Sequence, residues 1–338
     1  NRMEEIGGEL NAFTTKETTV VYTAFPPDYA PRAIELVGDL VSHPIFPEKE
    51  VMREQRIVDE EISSYLDSPA DRVFDEFDDL IFKGSPLGHN ILGTHETLRN
   101  LSREDCMRFV NTFYTPARMV AFYSGPVKPE KVARMVERHF DLRADSVVAT
   151  STSVNRAPER FEIVNSGDDN YQANVVEGTL LPISYSDPTA TLSLFNNILG
   201  GPSMNSRLNM AMRERSGLVY TVESSLAVYS SITLLTIYYG CSDADRRRCH
   251  RIVEREINNL ACKPMSDAAL DKSKRQFAGQ IAMSAAMADN VIIGAARRVL
   301  YCNHLLKQSE IVEQINGVTA AELQSLAASI DLSSLTLL

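Results

Sequence analysis

Apolar residues change their spacing several times along the chain, and each change marks an element. Residues 1–6 read as the tail of a helix that Gly7-Gly8 stops, so the pattern predicts further helix upstream of Asn1. Residues 9–25 are rich in Thr, Val, Phe and Tyr and predict a hairpin turning at Thr15-Lys16-Glu17 and ended by Pro26-Pro27. Apolar positions 33, 34, 36, 37, 40 and 41 have helical spacing, as do Val51, Ile57, Val58, Ile62 and Tyr65 in a long helix from Glu48 to Leu66. Shorter helices are expected at 70–82, 102–112 and Pro129 to His139, and a strand at Arg118 to Tyr123.

Residues 143–158 are small, polar and without period, and read as a linker between a half at 1–142 and a half at 159–338. Beyond it the pattern restarts. Phe161 to Val164 and Tyr171 to Thr179 predict strands. Thr189 to Leu199 and Ser206 to Arg215 predict helices. Leu218 to Tyr239 predicts two strands. Long helices are expected at 243–260 and 266–287, then two more helices and a closing strand at Leu335 to Leu338.

The restart is a duplication. Leu98 to Ser102 matches Ile315 to Thr319, and at the same offset Phe109 meets Leu326, Phe113 meets Ile330 and Val120 meets Leu337. Leu40 to Pro44 matches Leu260 to Pro264, while Val51 meets Leu270 and Ile62 meets Ile281. The first half is the shorter one ahead of this match, so its opening strand material is expected to be missing. Apolar positions persist between the two long helices, but the carboxylates do not: Glu54 meets Ser273 and Glu61 meets Gln280. A pair kept in one repeat only is not demanded by the fold. Glu54 and Glu61, seven apart, share one helix face. Most other charges of this helix read as solvated surface.

Composition narrows the function classes. The 338 residues are 44% apolar and 23% charged, as in globular proteins. Thirty-four Lys and Arg against 45 Asp and Glu give a net charge of −11, which argues against nucleic acid and anionic membrane as partners. No apolar run is long enough for a transmembrane helix, and a cytoplasmic location is expected, with the periplasm as the alternative. Cys106, Cys241, Cys249, Cys262 and Cys302 are odd in number and form no C-x-x-C, so a disulfide framework is not expected; the five read as small buried hydrophobes.

Five segments share a further likeness. Gly7-Gly8-Glu9-Leu10-Asn11-Ala12-Phe13-Thr14, continued by Thr19 to Tyr22, resembles the G-G-x-x-N-A-x-T…T-x-Y signature of the pitrilysin/insulinase zinc metallopeptidases. Glu54 to Ile62 resembles that family's E-R-x-x-x-x-E-E-I helix, and Leu87 to Gly93 its L-G-x-x-I-L-G turn. Gly201 to Leu208 is similar to G-x-x-x-S-R-L, and Arg213 to Tyr220 to R-E-x-x-G-L-x-Y. The branch with bacterial processing proteases and mitochondrial processing peptidase is the nearest in pattern.

The resemblance implies an α+β fold of two tandem homologous halves, each a mainly antiparallel sheet with helices on one face, the first half truncated at its N-terminus. It implies a zinc metalloendopeptidase that hydrolyses unfolded peptides held between the halves. The family's zinc site is H-x-x-E-H plus a distant Glu. Glu61 corresponds to that distant ligand and Glu54 to its supporting carboxylate. The six histidines, at 43, 89, 95, 139, 250 and 304, form no such motif, so the motif is expected upstream of Asn1 and the chain as given holds one zinc ligand of three. Asn11, Ala12, Phe13 and Thr14 correspond to an edge strand that pairs with substrate, and Arg213 and Tyr220 to a pair that approaches the scissile carbonyl. The alternative is a partner or scaffold subunit that binds peptide and lends Arg213 and Tyr220 to a zinc-bearing chain. Either way a homodimer or an assembly with a related subunit is implied.

Overall fold

The structure, a computed structural model, describes residues 2–142, 172–187, 189–331 and 336–337. The expected linker at 143–158 and strand at Phe161 to Val164 lie outside the described residues.

The chain opens with the hairpin β1 (Glu9–Thr14) and β2 (Thr19–Ala24), closed where Thr15 N donates to Thr18 O at 2.7 Å. Next come α1 (Ala30–Ser42), α2 (Glu48–Leu66), α3 (Pro69–Ile81), α4 (His95–Asn100), α5 (Arg103–Phe113) and α6 (Pro129–His139). Then follow β3 (Ala173–Leu181), α7 (Ala190–Gly200), a π-helical turn (Asn209–Glu214), β4 (Val219–Val228) and β5 (Thr233–Cys241). The chain continues with α8 (Arg246–Cys262), α9 (Asp267–Ser284), α10 (Ala288–Cys302), α11 (Gln308–Gly317), α12 (Ala320–Ser329) and β6 (Thr336–Leu337).

The order β1-β2-α1-α2-α3-α4-α5 returns as β4-β5-α8-α9-α10-α11-α12, as the duplicated sequence requires. Small signals repeat with it. Ser102 and Thr319, at matching positions, both close capping boxes, with Asp105 and Glu322. Gln55 of α2 donates to Leu98 O and Leu101 O at 2.9 and 2.8 Å, and its counterpart Lys274 of α9 donates to Asn316 O at 2.8 Å.

Compact units do not follow the sequence halves. Tyr65–His89, with α3, packs with the later strands, and Ala288–Leu305, with α10, packs with the β1–β2 hairpin. Each unit thus takes one helix from the other half, at matching places in the repeat.

In the first unit, α1 crosses α6 closely: a Cβ on Gly38 would stand 2.7 Å from His139 O. The guanidinium of Arg297 on α10 lies 5.6 Å above the Phe13 ring, which meets Tyr22 edge-on at 6.3 Å. The segment expected as a strand at Arg118 to Tyr123 is not one. Pro116–Arg118 forms a 3-10 turn, and 119–124 joins no ladder. Its counterpart β6 does pair, Leu337 with Glu177 and Thr336 with Gly178 of β3. An extended segment becomes a strand only where another offers its backbone groups. No equivalent of β3 stands beside 119–124 among the described residues.

The second unit is built on an antiparallel sheet of order β4-β5-β3-β6. Alternate residues face opposite ways. Val175, Leu235, Ile237 and Tyr239 face a core with Phe195 and Leu199 of α7, Val253 and Ile257 of α8, and Leu323 and Ala327 of α12. Val176 and Leu234 face the other side, where Val73, Phe77 and Ile81 of α3 cover them. Gly178 makes that approach possible, since a Cβ there would lie 2.6 Å from Leu235 O and 2.8 Å from Phe77 Cζ.

Candidate functional site

Arg213 and Tyr220 come from adjoining irregular elements of the second unit. Residues expected as an ordinary helix at Ser206 to Arg215 widen into the π turn, where Arg215 N bonds Met210 O at 3.1 Å. The extra residue per turn buries Asn209, Ala211 and Met212 and leaves Arg213 outside. Gly217, at φ 59°, then reverses the chain into β4, its amide bonding Arg213 O at 3.0 Å.

β4 ends the sheet order among the described residues, and its register slips at once. Val219 pairs with Cys241 and Val222 with Tyr239, so Tyr220 and Thr221 together oppose Gly240 alone. This bulge turns both side chains outward, and Tyr220 is 87% exposed. Arg213, Tyr220 and Thr221 line an open cleft of about 210 Å³ with Pro202, Met204 and Asn209. Asn209 ties the two walls: its Nδ2 donates to Ser206 Oγ at 2.9 Å and to Val222 O, just past the bulge, at 3.3 Å. Sequence reasoning missed this residue. Its one signal is its place directly after the Ser206-Arg207-Leu208 of the motif. Arg213 Nε lies 3.9 Å from Glu214 Oε1, both about half exposed, a contact too long and too wet to hold the guanidinium back.

Glu54 and Glu61 stand on α2 in the first unit. Gln55 grips the carbonyls of Leu98 and Leu101, Asp59 Oδ1 lies 2.6 Å from His95 Nδ1, and Ile62 is buried. These three set the roll of the helix. At about 100° per residue, Glu54 and Glu61 then fall within about 20° of each other, roughly a third of a turn away, and both are exposed.

β1 offers Asn11, Ala12, Phe13 and Thr14, paired with Tyr22, Val21, Val20 and Thr19 of β2. Among the described residues its other edge has no strand beside it. Asn11 Oδ1 accepts the Ala12 amide at 2.8 Å, which blunts that edge. Phe13 is committed to Tyr22 and Arg297, so β1 presents its backbone there and not this ring.

All six histidines lie among the described residues, and no three His, Cys, Asp or Glu side chains there gather as a metal-binding group. A zinc ion held by protein needs three or four ligands, and Glu61 with Glu54 does not meet that need. Arg213 and Tyr220 line one cleft in the second unit, Glu54 and Glu61 lie on one face of α2 in the first, and no metal-binding group gathers among the described residues. No helix among the described residues is long and apolar enough to cross a membrane.

Known proteins share this framework. The uncharacterized zinc protease YmxG of Bacillus subtilis is 28% identical over 325 residues, covering 96% of this chain and 78% of that protein. A protease from Helicobacter pylori superposes with a TM-score of 0.87 at 18% identity, over 99% of this chain and 83% of that one. A peptidase M16 inactive domain from Pseudomonas fluorescens does so at 0.81 and 18%, over 99% and 81%. Residues 1–95 match the family model described as Insulinase (Peptidase family M16), and residues 100–277 the one described as Peptidase M16 inactive domain. With the repeated α+β framework and five motifs in order, these matches place the chain in the M16, or pitrilysin/insulinase, family of peptidases.

Proposed function

We propose that this chain is the substrate-engaging part of an M16 zinc metalloendopeptidase: it takes an extended, unfolded peptide and aims Arg213 and Tyr220 at a backbone carbonyl. The convergence of these side chains on one exposed cleft carries the reading. A guanidinium and a phenol both donate hydrogen bonds, and two donors converging on a carbonyl oxygen stabilise negative charge that develops there. The bulge and π turn support it, since each spends regular backbone pairing to turn a polar side chain outward. Apart from the Ala12 amide, which Asn11 holds, the edge of β1 up to Thr14 has no strand beside it among the described residues and offers backbone groups for an extended peptide.

Glu54 and Glu61 favour a second reading, in which the chain takes part in hydrolysis as the zinc side too. Both are exposed, and neither has an ion pair or hydrogen bond among the described residues. Among the described residues no further donors gather beside them, and it is the convergence of Arg213 and Tyr220 on one cleft that puts the substrate-side reading first.

Fluorescence anisotropy with a labelled unfolded peptide tests it. Arg213→Ala and Tyr220→Phe should each weaken binding by about 5- to 30-fold, the loss of one hydrogen bond worth about 1–2 kcal/mol. Unchanged affinity in both variants overturns the assignment of this pair. Metal analysis of the same samples separates the two readings: stoichiometric zinc with hydrolysis that Glu61→Gln abolishes establishes the second.

A further inference from the structure

Behind the cleft lies a buried polar cluster that peptide capture does not use. Glu177, in the middle of β3, is fully buried on the face of the sheet that α8 covers. Its Oε1 accepts a hydrogen bond from the Tyr239 hydroxyl, and its Oε2 lies 2.8 Å from Nδ1 of His250 on α8. The other ring nitrogen of His250, Nε2, lies 3.5 Å from Oε1 of Glu254, one turn further along α8. The His250 side chain is 18% exposed and that of Glu254 35%, so this chain of contacts runs from the interior of the sheet to the surface.

We propose that His250 is held as an imidazolium between Glu177 and Glu254, and that its proton fastens α8 to the sheet until rising pH removes it. The two distances carry this. A neutral imidazole has one N–H and one nitrogen lone pair. With carboxylate oxygens at both nitrogens, a neutral ring must set its lone pair against one of them, whereas an imidazolium donates toward both. A carboxylate buried as deeply as Glu177 is also costly without a positive partner. The groups around it leave that part to His250. The Tyr239 phenol of β5 is pushed up by burial and then by the Glu177 charge, so it stays a neutral donor. Cys241 of β5, Cys249 of α8 and Asp245 ahead of α8 are close by, and none is a cation. Arg246 holds Asp243 at 2.9 Å, and Arg207, ahead of the π turn, lies 3.5 Å from Glu256. α12 packs Leu323 and Ala327 into the same core, and β6 meets Glu177 along the backbone, through Leu337.

The duplication shows that the fold does not require this arrangement. At the offset that matches Leu40 to Pro44 with Leu260 to Pro264, His250 meets Ala30 and Glu254 meets Ile34 of α1. Ala30 is fully buried, so an apolar side chain serves at that place in the repeat. A buried ion pair is seldom kept for stability alone, since apolar replacements often do as well. The direction of the pH dependence follows from linkage. A proton held between two carboxylates leaves the folded chain later than the unfolded one, where an imidazole loses it near about pH 6.5. Its stabilisation is complete below about pH 6.5 and is lost as pH rises through the folded-state titration. Glu177 is then left with neutral donors only. Tyr239 pairs with Val222, so the loosened contact lies behind the strand that carries Tyr220.

The test follows the ring nitrogens of the whole chain, prepared with isotope-labelled histidine, by NMR from about pH 5 to about pH 9. The signals of His250 are those that vanish in His250→Gln. Both of its nitrogens should carry protons at about pH 7. Glu254→Gln should weaken its proton affinity about 2- to 5-fold, the worth of one partly exposed ion pair. A merely structural contact would not move this titration. In urea melts the wild type should be more stable than His250→Gln at about pH 6. By about pH 9 that lead should shrink about 5-fold or more in the folding equilibrium, the difference between a charged and a neutral hydrogen bond. If His250→Gln does not fold, ring-to-backbone correlations assign the signals, and Glu254→Gln, at the exposed end of the site, carries the test. The proposal is overturned if one ring nitrogen of His250 is bare at about pH 7, or if Glu254→Gln leaves its titration unchanged. It is equally overturned if the wild-type lead is the same at both pH values.

Discussion

Asn209→Asp changes one buried amide to a carboxyl of nearly the same size, and so isolates the hydrogen bonds that join the two walls of the cleft. Asn209 is 8% exposed, and its Nδ2 donates to Ser206 Oγ and Val222 O. The replacement removes both donations, about 0.5–1.5 kcal/mol each. It also sets a carboxylate oxygen against the Val222 carbonyl in a buried place, which raises the total to about 2–4 kcal/mol at neutral pH. Burial beside a carbonyl lifts the folded-state pKa of the new carboxyl above its unfolded value. The unfolded state then releases the proton first, so the loss is small in acid and grows as pH rises through the window between the two values. Asn209→Leu loses the same bonds without the charge, and should cost about 1–3 kcal/mol with no added pH dependence. Urea midpoints at about pH 4 and about pH 7 measure both variants. Equal destabilisation of Asn209→Asp at the two pH values, or none at either, would refute the claim that this amide holds the bulge to the π turn. Peptide affinity should fall with stability here even though Asn209 reaches no farther than the cleft wall.

Gly178→Ala should destabilise by about 1–3 kcal/mol, because the new Cβ meets the fixed Leu235 carbonyl as well as the movable Phe77 ring; adding Phe77→Leu should recover only part of the loss in the same urea melts, and full recovery would contradict the backbone clash. Glu322 is held below the usual carboxylate range by hydrogen bonds from the Thr319 amide and hydroxyl. Its contribution is present above the unfolded value of 4.5 and lost as pH falls through the lower folded value, so Glu322→Gln should flatten the acid limb of the stability profile below that point.

Much of this architecture follows from local pattern. The β1–β2 hairpin, the long helices and the repeated order of elements rest on period and on turn chemistry that neighbouring residues supply, so they were legible residue by residue. The likeness of Arg213 to Tyr220 to a family motif was legible too, though spacing alone did not carry it, and so was the shared helix face of Glu54 and Glu61.

Partnership was not legible. Phe113 and Ile330 hold equivalent positions, yet Ile330 is 5% exposed in the core under the four-stranded sheet while Phe113 is 37% exposed. Val120 and Leu337 are equivalent too, but among the described residues Leu337 finds a strand and Val120 does not. The exchange of α3 and α10 between units, the slip that turns Tyr220 outward and the gathering of Asn209 with Val222 all depend on how separate elements meet. Sequence spacing reports which face of an element is apolar. Which surface covers that face, and which backbone groups are left to turn a side chain toward solvent, is decided only when the elements pack.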